Sequence, residues 1–233
     1  MKKFTSKTLL FTACIYPFSQ SIAAESIISV TSNDIKHEAR IAEKFAFCKA
    51  DGKGKAEPSS NISPHISWSG APKATKSFAL IVVDPDVPAK FDDANKEGKV
   101  IAKDFPRKNF YHWIVTDIPV SVTELKEGEG KNIAQNLSAG KELFSYKNGG
   151  VPAINDYASF MKDKPRTEFL GYDGPCPPWN DSRIHNYHFT IYALDTEKLD
   201  TDNVSSNEEL ANKIAANSIA KGIIVGTYSN YKK

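Results

Sequence analysis

The sequence predicts a mainly β, sandwich-like domain with one or two peripheral helices, on three observations. Phe78-Ala79-Leu80-Ile81-Val82-Val83 is an unbroken apolar run of strand length, the pattern of a central strand covered on both faces. Residues 110–116 and 187–194 are rich in aromatic and β-branched side chains, which suit a pleated, half-buried surface. Helix signals concentrate in one stretch near the C-terminus.

In chain order, Ile27-Ile28-Ser29-Val30 and residues 62–68 read as short strands ahead of the 78–83 run. Beyond the 110–116 strand, residues 129–168 hold Gly149-Gly150, scattered charges and little periodicity. They read as a long excursion over the surface that shapes a pocket mouth. Ser206 followed by Glu209 makes a capping box, Leu210, Ile214 and Ala215 form an apolar helical stripe, and Gly222 is the expected stop. Residues 223–228 read as a short last strand.

The N-terminus reads as a secretory signal. Lys2, Lys3 and Lys7 precede a mostly apolar stretch from Thr8 to Phe18, too short to span a bilayer. Ser21-Ile22-Ala23 offers small residues at the spacing a signal peptidase requires. The expectation is a signal peptide over residues 1–23 and one domain over 24–233, placed in the periplasm or outside the cell. Cys14 as a lipidated cysteine is the rival reading; Phe11 and the nearby Lys7 argue against it. Removing residues 1–23 takes three lysines and no acid, so 27 basic residues face 28 acidic ones. That balance offers no attraction to nucleic acid or to a membrane surface. Two cysteines then remain, Cys48 and Cys176. In an oxidising compartment an even pair predicts a disulfide, with two separate buried thiols as the alternative.

Two proline-stiffened segments carry the chemistry: Asp84-Pro85-Asp86-Val87-Pro88, and Asp173-Gly174-Pro175-Cys176-Pro177-Pro178 leading to His185-Asn186-Tyr187. Proline fixes φ and lacks an N–H, so the first is expected to stop its strand sharply and leave carboxylates at the strand end. Either segment alone is also compatible with an ordinary solvated turn. Strand alternation groups His112 with Phe110, Ile114 and Thr116, opposite Tyr111 and Trp113. It likewise turns His185 and Tyr187 to one face and His188 to the other.

Taken together, Asp-Pro-Asp-x-Pro, Tyr111-His112-Trp113, Gly-Pro-x-Pro-Pro and His-x-Tyr resemble the phosphatidylethanolamine-binding protein family, most closely its bacterial Raf-kinase-inhibitor-like branch. Asn61-Ile62-Ser63-Pro64, Ser67-Trp68-Ser69-Gly70 and Tyr192-Ala193-Leu194-Asp195 follow in the family's order, so the resemblance spans about residues 45–228. It implies a β-sandwich with a large central antiparallel sheet. It also implies that Asp84, His112, Pro178, His185 and Tyr187 line a small anion pocket, with Asp86 and Pro88 in the family's first loop. Two imidazoles and a phenol would donate to phosphate or carboxylate oxygens, and Asp84 would accept from an imidazole N–H or receive a ligand's amine. The chain departs from the pattern in having Trp179-Asn180 where the family has glycine, and Asn186 where it has arginine. Arg183 is the candidate replacement for that cation.

The functional expectation is a binding protein without turnover, cofactor or metal, holding a small anionic ligand or a phosphorylated group. Inhibition of a kinase or protease by docking, and pairing as a homodimer, are further implications of the resemblance. The alternative is a metal-assisted hydrolase using the same His/Asp cluster, although no His-x3-His or Cys-x2-Cys spacing is present.

Overall fold

The computed structural model describes residues 26–131, 133–138 and 141–232, so the leader and Cys14 lie outside the described residues. Four long strands carry the architecture: β1 (Ser77–Pro88), β2 (Arg107–Pro119), β3 (His185–Leu194) and β4 (Ser218–Tyr228). They lie in the order β4-β3-β1-β2, each neighbouring pair antiparallel. Short strands extend the edges: Val151–Pro152 pairs antiparallel with β2, while Ser26–Ile27 and Ala39–Arg40 run parallel to β4. The central sheet is therefore mixed rather than purely antiparallel. Its N-terminal edge is not reached by a tight hairpin, which would have forced an antiparallel pairing.

A smaller sheet of Ser29–Thr31, Ile66–Ser69 and Glu124–Leu125 makes the second layer. Ile28, Trp68, Phe78, Trp113, Phe189 and Ile191 fill the space between, and Trp68 meets Phe78 edge-on at 5.4 Å. The opposite face of the large sheet is covered by α1 (Asn207–Ala216), whose Leu210 and Ile214 pack on Ile81, Tyr111 and Ile114. β1 is thus buried on both faces, the reason its sequence is continuously apolar. Among the described residues no helix is long and apolar enough to cross a membrane.

Several local expectations are corrected. β1 does not stop at Val83 but runs on through the Asp84–Pro88 segment. Asp84 pairs with Phe110 and Val87 with Lys108, so three steps on β1 match two on β2. The absent N–H of Pro85 is accommodated by this bulge rather than by ending the strand. Gly222 lies inside β4 instead of capping the helix; a Cβ there would sit 2.0 Å from Ile28 O. The helix ends at Asn217, which donates from its backbone and its side chain to Lys213 O. At the other end Ser206 Oγ accepts from Glu209 N–H at 3.2 Å, but the Glu209 carboxylate turns to Ser205 rather than to Ser206. The 27–30 run splits at Ile28 between the two sheets, and the 62–68 candidate shortens to Ile66–Ser69.

A second bulge alters the faces of β2. Val82 pairs with Trp113 and Val83 with Tyr111, leaving His112 as the extra residue. Tyr111 and Ile114 therefore pack together under α1, while Trp113 and Val115 enter the main core. Simple alternation set His112 beside Ile114 and opposite Trp113; the bulge breaks that phase and lets the imidazole reach Tyr187, ring centroids 5.2 Å apart. The 129–168 stretch is more ordered than its sequence suggests. It folds back as the Ile133–Ser138/Lys141–Tyr146 ribbon, then as the 3-10 turn Asp156–Ser159 and the start of Arg166–Phe169.

Candidate functional site

At one end of the large sheet, β1, β2 and β3 meet the 173–178 segment. Asp173 fixes that segment. Its carboxylate accepts from Asn61 Nδ2 at 2.6 Å, Asn155 Nδ2 at 2.7 Å and Lys131 Nζ at 2.9 Å. Its backbone pairs both ways with His112: the Asp173 N–H donates to His112 O at 3.1 Å, and the Asp173 carbonyl accepts from His112 Nδ1 at 2.8 Å. Cys48 and Cys176 are bridged, Cα atoms 4.9 Å apart, which ties the proline-rich stretch to the Cys48–Ala50 strand.

These elements enclose a cavity of about 220 Å³ lined by Asp84, His112, Pro178, His185 and Tyr187. Five of the seven residues expected at the site are thus brought together. Asp86 and Pro88 are not among the lining residues. Asp86 instead accepts from Asn186 N–H and Nδ2 at 2.9 and 2.8 Å, and pairs with Arg183 Nε at 2.6 Å. Burial opposes its ionisation, but the Asn186 hydrogen bonds and the Arg183 charge outweigh that and hold its carboxyl below the ordinary range. Arg183 also donates to Lys103 O, so it does not supply the cavity with a cation.

His185 is the largest departure from expectation. Its Nδ1 lies 2.6 Å from Asp84 Oδ2 and its Nε2 3.0 Å from Asp181 Oδ2, with the side chain wholly buried. Burial works against a charged ring, yet the Asp84 and Asp181 carboxylates prevail and push its pKa up to about 9. Both nitrogens are spent on the protein, so His185 lines the cavity without a donor free for a ligand. Asp181 is closed off in turn by Arg107, whose Nη2 donates to Asp181 Oδ1 at 3.1 Å. Burial opposes ionisation there too, and the His185 and Arg107 hydrogen bonds keep the Asp181 carboxyl below the usual range.

His112 and Tyr187 remain. Four buried side-chain polar atoms among the described residues lack a hydrogen-bond partner, and two of them, His112 Nε2 and Tyr187 Oη, line this one cavity. Burial lowers the His112 pKa despite the raising influence of Asp84, the Asp173 carbonyl, Asp156 and Asp173. Burial, with Asp84 second, raises the Tyr187 phenol well above its ordinary value. Asp84 lies close enough to act on the phenol both as a charge and as a hydrogen-bond acceptor, at a geometry just short of a formed hydrogen bond.

The walls are aromatic, and sequence reasoning missed most of them. Phe47 stacks on Tyr157 at 4.6 Å, Phe110 meets Tyr157 at 5.0 Å, and Phe91 meets Phe160 at 4.8 Å. At the rim, Lys108 Nζ lies 5.0 Å above the Phe91 ring. Tyr157 and Phe160 come from the stretch whose sequence carries no periodicity, so only its aromatic content hinted at them. Asn180, of the Trp179-Asn180 pair that departs from the resembled pattern, donates to the carbonyls of Asp93 and Lys99, fixing a loop whose Asn95 reaches the cavity. Trp179 is half-buried beside it, its N–H on Asn95 Oδ1, and does not line the cavity.

Two packed sheets with a small polar-based cavity at the strand ends define a class of sandwich whose binding-site candidate is built by loops on a rigid frame. Sequence comparison identifies the group within that class. The family model described as phosphatidylethanolamine-binding protein matches residues 31–229, and the chain belongs to that family. UPF0098 protein YbcL of Escherichia coli is 30% identical over 193 residues, 83% of this chain and 82% of that one. A UPF0098 protein of Aquifex aeolicus is 30% identical over 214 residues, 92% of this chain and 95% of that one. The crystal structure of E. coli YbcL, described as a new member of the mammalian PEBP family, superposes with a TM-score of 0.61 at 32% identity, covering 87% of this chain and 98% of that one.

Proposed function

We propose that this protein is an exported, non-catalytic binding protein that holds the polar head of a small acidic molecule against His112 and Tyr187. The observation carrying this reading is the pair of buried, unpartnered atoms, His112 Nε2 and Tyr187 Oη, aimed into one aromatic-walled cavity. Burying two such atoms costs about 1–3 kcal/mol each unless something bonds them, and a ligand would recover that cost. Burial holds the His112 pKa below, and the Tyr187 phenol well above, their ordinary values, which suits a neutral imidazole and a protonated phenol as the groups that face the ligand. Metal-assisted hydrolysis is the weaker reading, because both His185 nitrogens are engaged by Asp84 and Asp181 and leave it no lone pair to offer a metal. Export is supported by the basic, then apolar N-terminus and by the Cys48–Cys176 bridge, which suits an oxidising compartment.

The test is imidazole and tyrosine NMR of the processed protein, titrated with acetate, phosphoethanolamine and inorganic phosphate. His112 and Tyr187 should shift while His188 stays still. If no probe moves His112, the reading fails. N-terminal sequencing that finds Met1 on the mature protein would remove the export half of it.

A further inference from the structure

The two sulfurs of the Cys48–Cys176 bridge have different surroundings. Cys176 is half-buried and lines the cavity beside Pro177 and Pro178, whereas Cys48 is buried and does not line it. A thiolate entering the cavity therefore meets Cys176 first. The sulfurs also differ as leaving groups. Asn230 is 3% exposed, and its Nδ2 donates to Pro177 O at 3.0 Å and to Cys48 Sγ at 3.2 Å. A carbonyl oxygen only accepts, so Pro177 fixes which end of the amide is the nitrogen and leaves the second proton for Cys48. Asn230 Oδ1 has no partner in this arrangement. Packing alone does not call for an amide there, because a leucine of similar volume would bury no unpaired oxygen. A bridged sulfur is a weak acceptor and a thiolate a strong one, so this N–H bonds best once the S–S bond has broken.

The bridge also ties together two stretches of the cavity wall. Phe47, next in the chain to Cys48, lines the same cavity as Cys176 and its two following prolines. Other bonds hold these stretches as well. Phe47 N–H and Cys48 N–H both donate to Pro175 O, at 2.9 and 3.2 Å, and Tyr228 Oη donates to Cys48 O at 3.1 Å. The Asp173 carboxylate keeps its bonds to Asn61, Asn155 and Lys131 whether or not the sulfurs are joined. Opening the bridge thus loosens the wall and leaves the frame behind it standing.

We propose that Cys176 Sγ is a thiol-exchange site, reached through the cavity by dithiol reductants, with Cys48 as the leaving thiolate and Asn230 as the donor that stabilises it. A reductant thiolate forms a bond to Cys176 Sγ, the Cys48–Cys176 bond breaks, and its electron pair stays on Cys48 Sγ. The reductant's second thiolate then attacks its own sulfur in the mixed disulfide and expels the Cys176 thiolate. The protein gains two electrons and the dithiol loses two, becoming a disulfide. The dithiol's two protons end on Cys48 and Cys176. The cavity wall is then held by hydrogen bonds alone, so the redox state of the bridge sets how firmly the cavity is shaped.

A monothiol stops this sequence at its first step and reveals which sulfur is attacked. The experiment treats the full processed, oxidised protein with glutathione in native buffer, quenches in acid and maps peptic peptides by mass. Glutathione should be found on Cys176 at least about ten times as often as on Cys48. Asn230→Ala should lower that ratio roughly three- to tenfold, because losing a hydrogen bond to a developing charge slows the departure of Cys48 alone. A merely structural role for Asn230 would speed or slow attack on both sulfurs together and leave the ratio where it was. Reduction with dithiothreitol should then remove amide-deuterium protection from residues 45–49 and 173–179 while residues 78–83 keep theirs. Glutathione on Cys48 as often as on Cys176, a ratio that Asn230→Ala does not move, or reaction only after denaturant unfolds the chain would overturn the exchange site. Reduction that strips protection from residues 78–83, or that leaves residues 45–49 protected, would overturn the effect on the cavity wall.

Discussion

His185 Nδ1 sits 2.6 Å from Asp84 Oδ2, and both side chains are sealed from solvent. Asp181 completes the arrangement from the other side of the ring at 3.0 Å, so one imidazolium is held between two carboxylates. The pKa of His185 is raised from 6.5 to about 9. Its stabilising contribution is therefore fully present below about 6.5 and lost as pH rises through about 9. The shift corresponds to about 3 kcal/mol. Chemical denaturation between pH 6 and 10 should show stability falling over that window, and His185 should titrate near its upper end by NMR. His185→Ala leaves two buried carboxylates without their shared partner and should cost about 3–5 kcal/mol. A titration near 6.5 and a flat stability profile would refute the arrangement.

The Cys48–Cys176 bridge joins residues 128 apart in sequence. Closing so long a loop restricts the unfolded chain by about 5 kcal/mol in the chain-entropy picture. Reduction should lower the denaturant midpoint accordingly, and the unreduced, denatured protein should show no titratable thiol from this pair. Two free thiols there would remove the bridge from the account.

Gly174 explains the glycine of the Asp-Gly-Pro motif by space rather than by backbone angle. A Cβ at this position would stand 2.0 Å from Phe45 O and 2.7 Å from Tyr172 Oη. Those two atoms are already bonded to each other at 2.6 Å, so neither can retreat without breaking a buried hydrogen bond. Gly174→Ala should destabilise by at least about 1–3 kcal/mol, measured by thermal or urea unfolding. A change under about 0.5 kcal/mol would show that the contact relaxes freely.

Strand positions were legible because apolar runs and β-branched content report burial directly, as in Phe78–Val83 and residues 187–194. So were five lining residues of the cavity, through motifs that bring Asp84, His112, Pro178, His185 and Tyr187 to the strand ends. What stayed hidden depends on long-range geometry. The bulge at His112 comes from pairing with β1, and period-two alternation cannot register an extra residue. The engagement of His185 by Asp181 has a sequence trace, an acid four residues upstream. Its meaning appears only when Arg107, 74 residues away, closes on the same carboxylate. Gly222 was read as a helix stop because glycine serves both helix ends and close backbone contacts, and only the approach of Ile28 O distinguishes them.

His112 should behave oppositely to His185. Its Nδ1 donates to the Asp173 carbonyl at 2.8 Å, and burial lowers its pKa from 6.5. A histidine with a lowered pKa contributes stability above its unfolded value of about 6.5, and that contribution is lost as pH falls. Nitrogen-15 imidazole spectra at pH 7 should therefore show His112 as a single neutral tautomer, protonated at Nδ1 and bare at Nε2. His185 in the same spectrum should be protonated at both nitrogens. On acidification toward pH 5 the His185 signals should stay in place, while His112 should remain neutral below the pH at which a free histidine takes up its proton. Tyr187→Phe should leave this tautomer intact, because the Asp173 carbonyl rather than the phenol fixes it. A His112 ring carrying its proton on Nε2 at pH 7, or doubly protonated there, would contradict the hydrogen bond to Asp173 and the lone pair it leaves in the cavity.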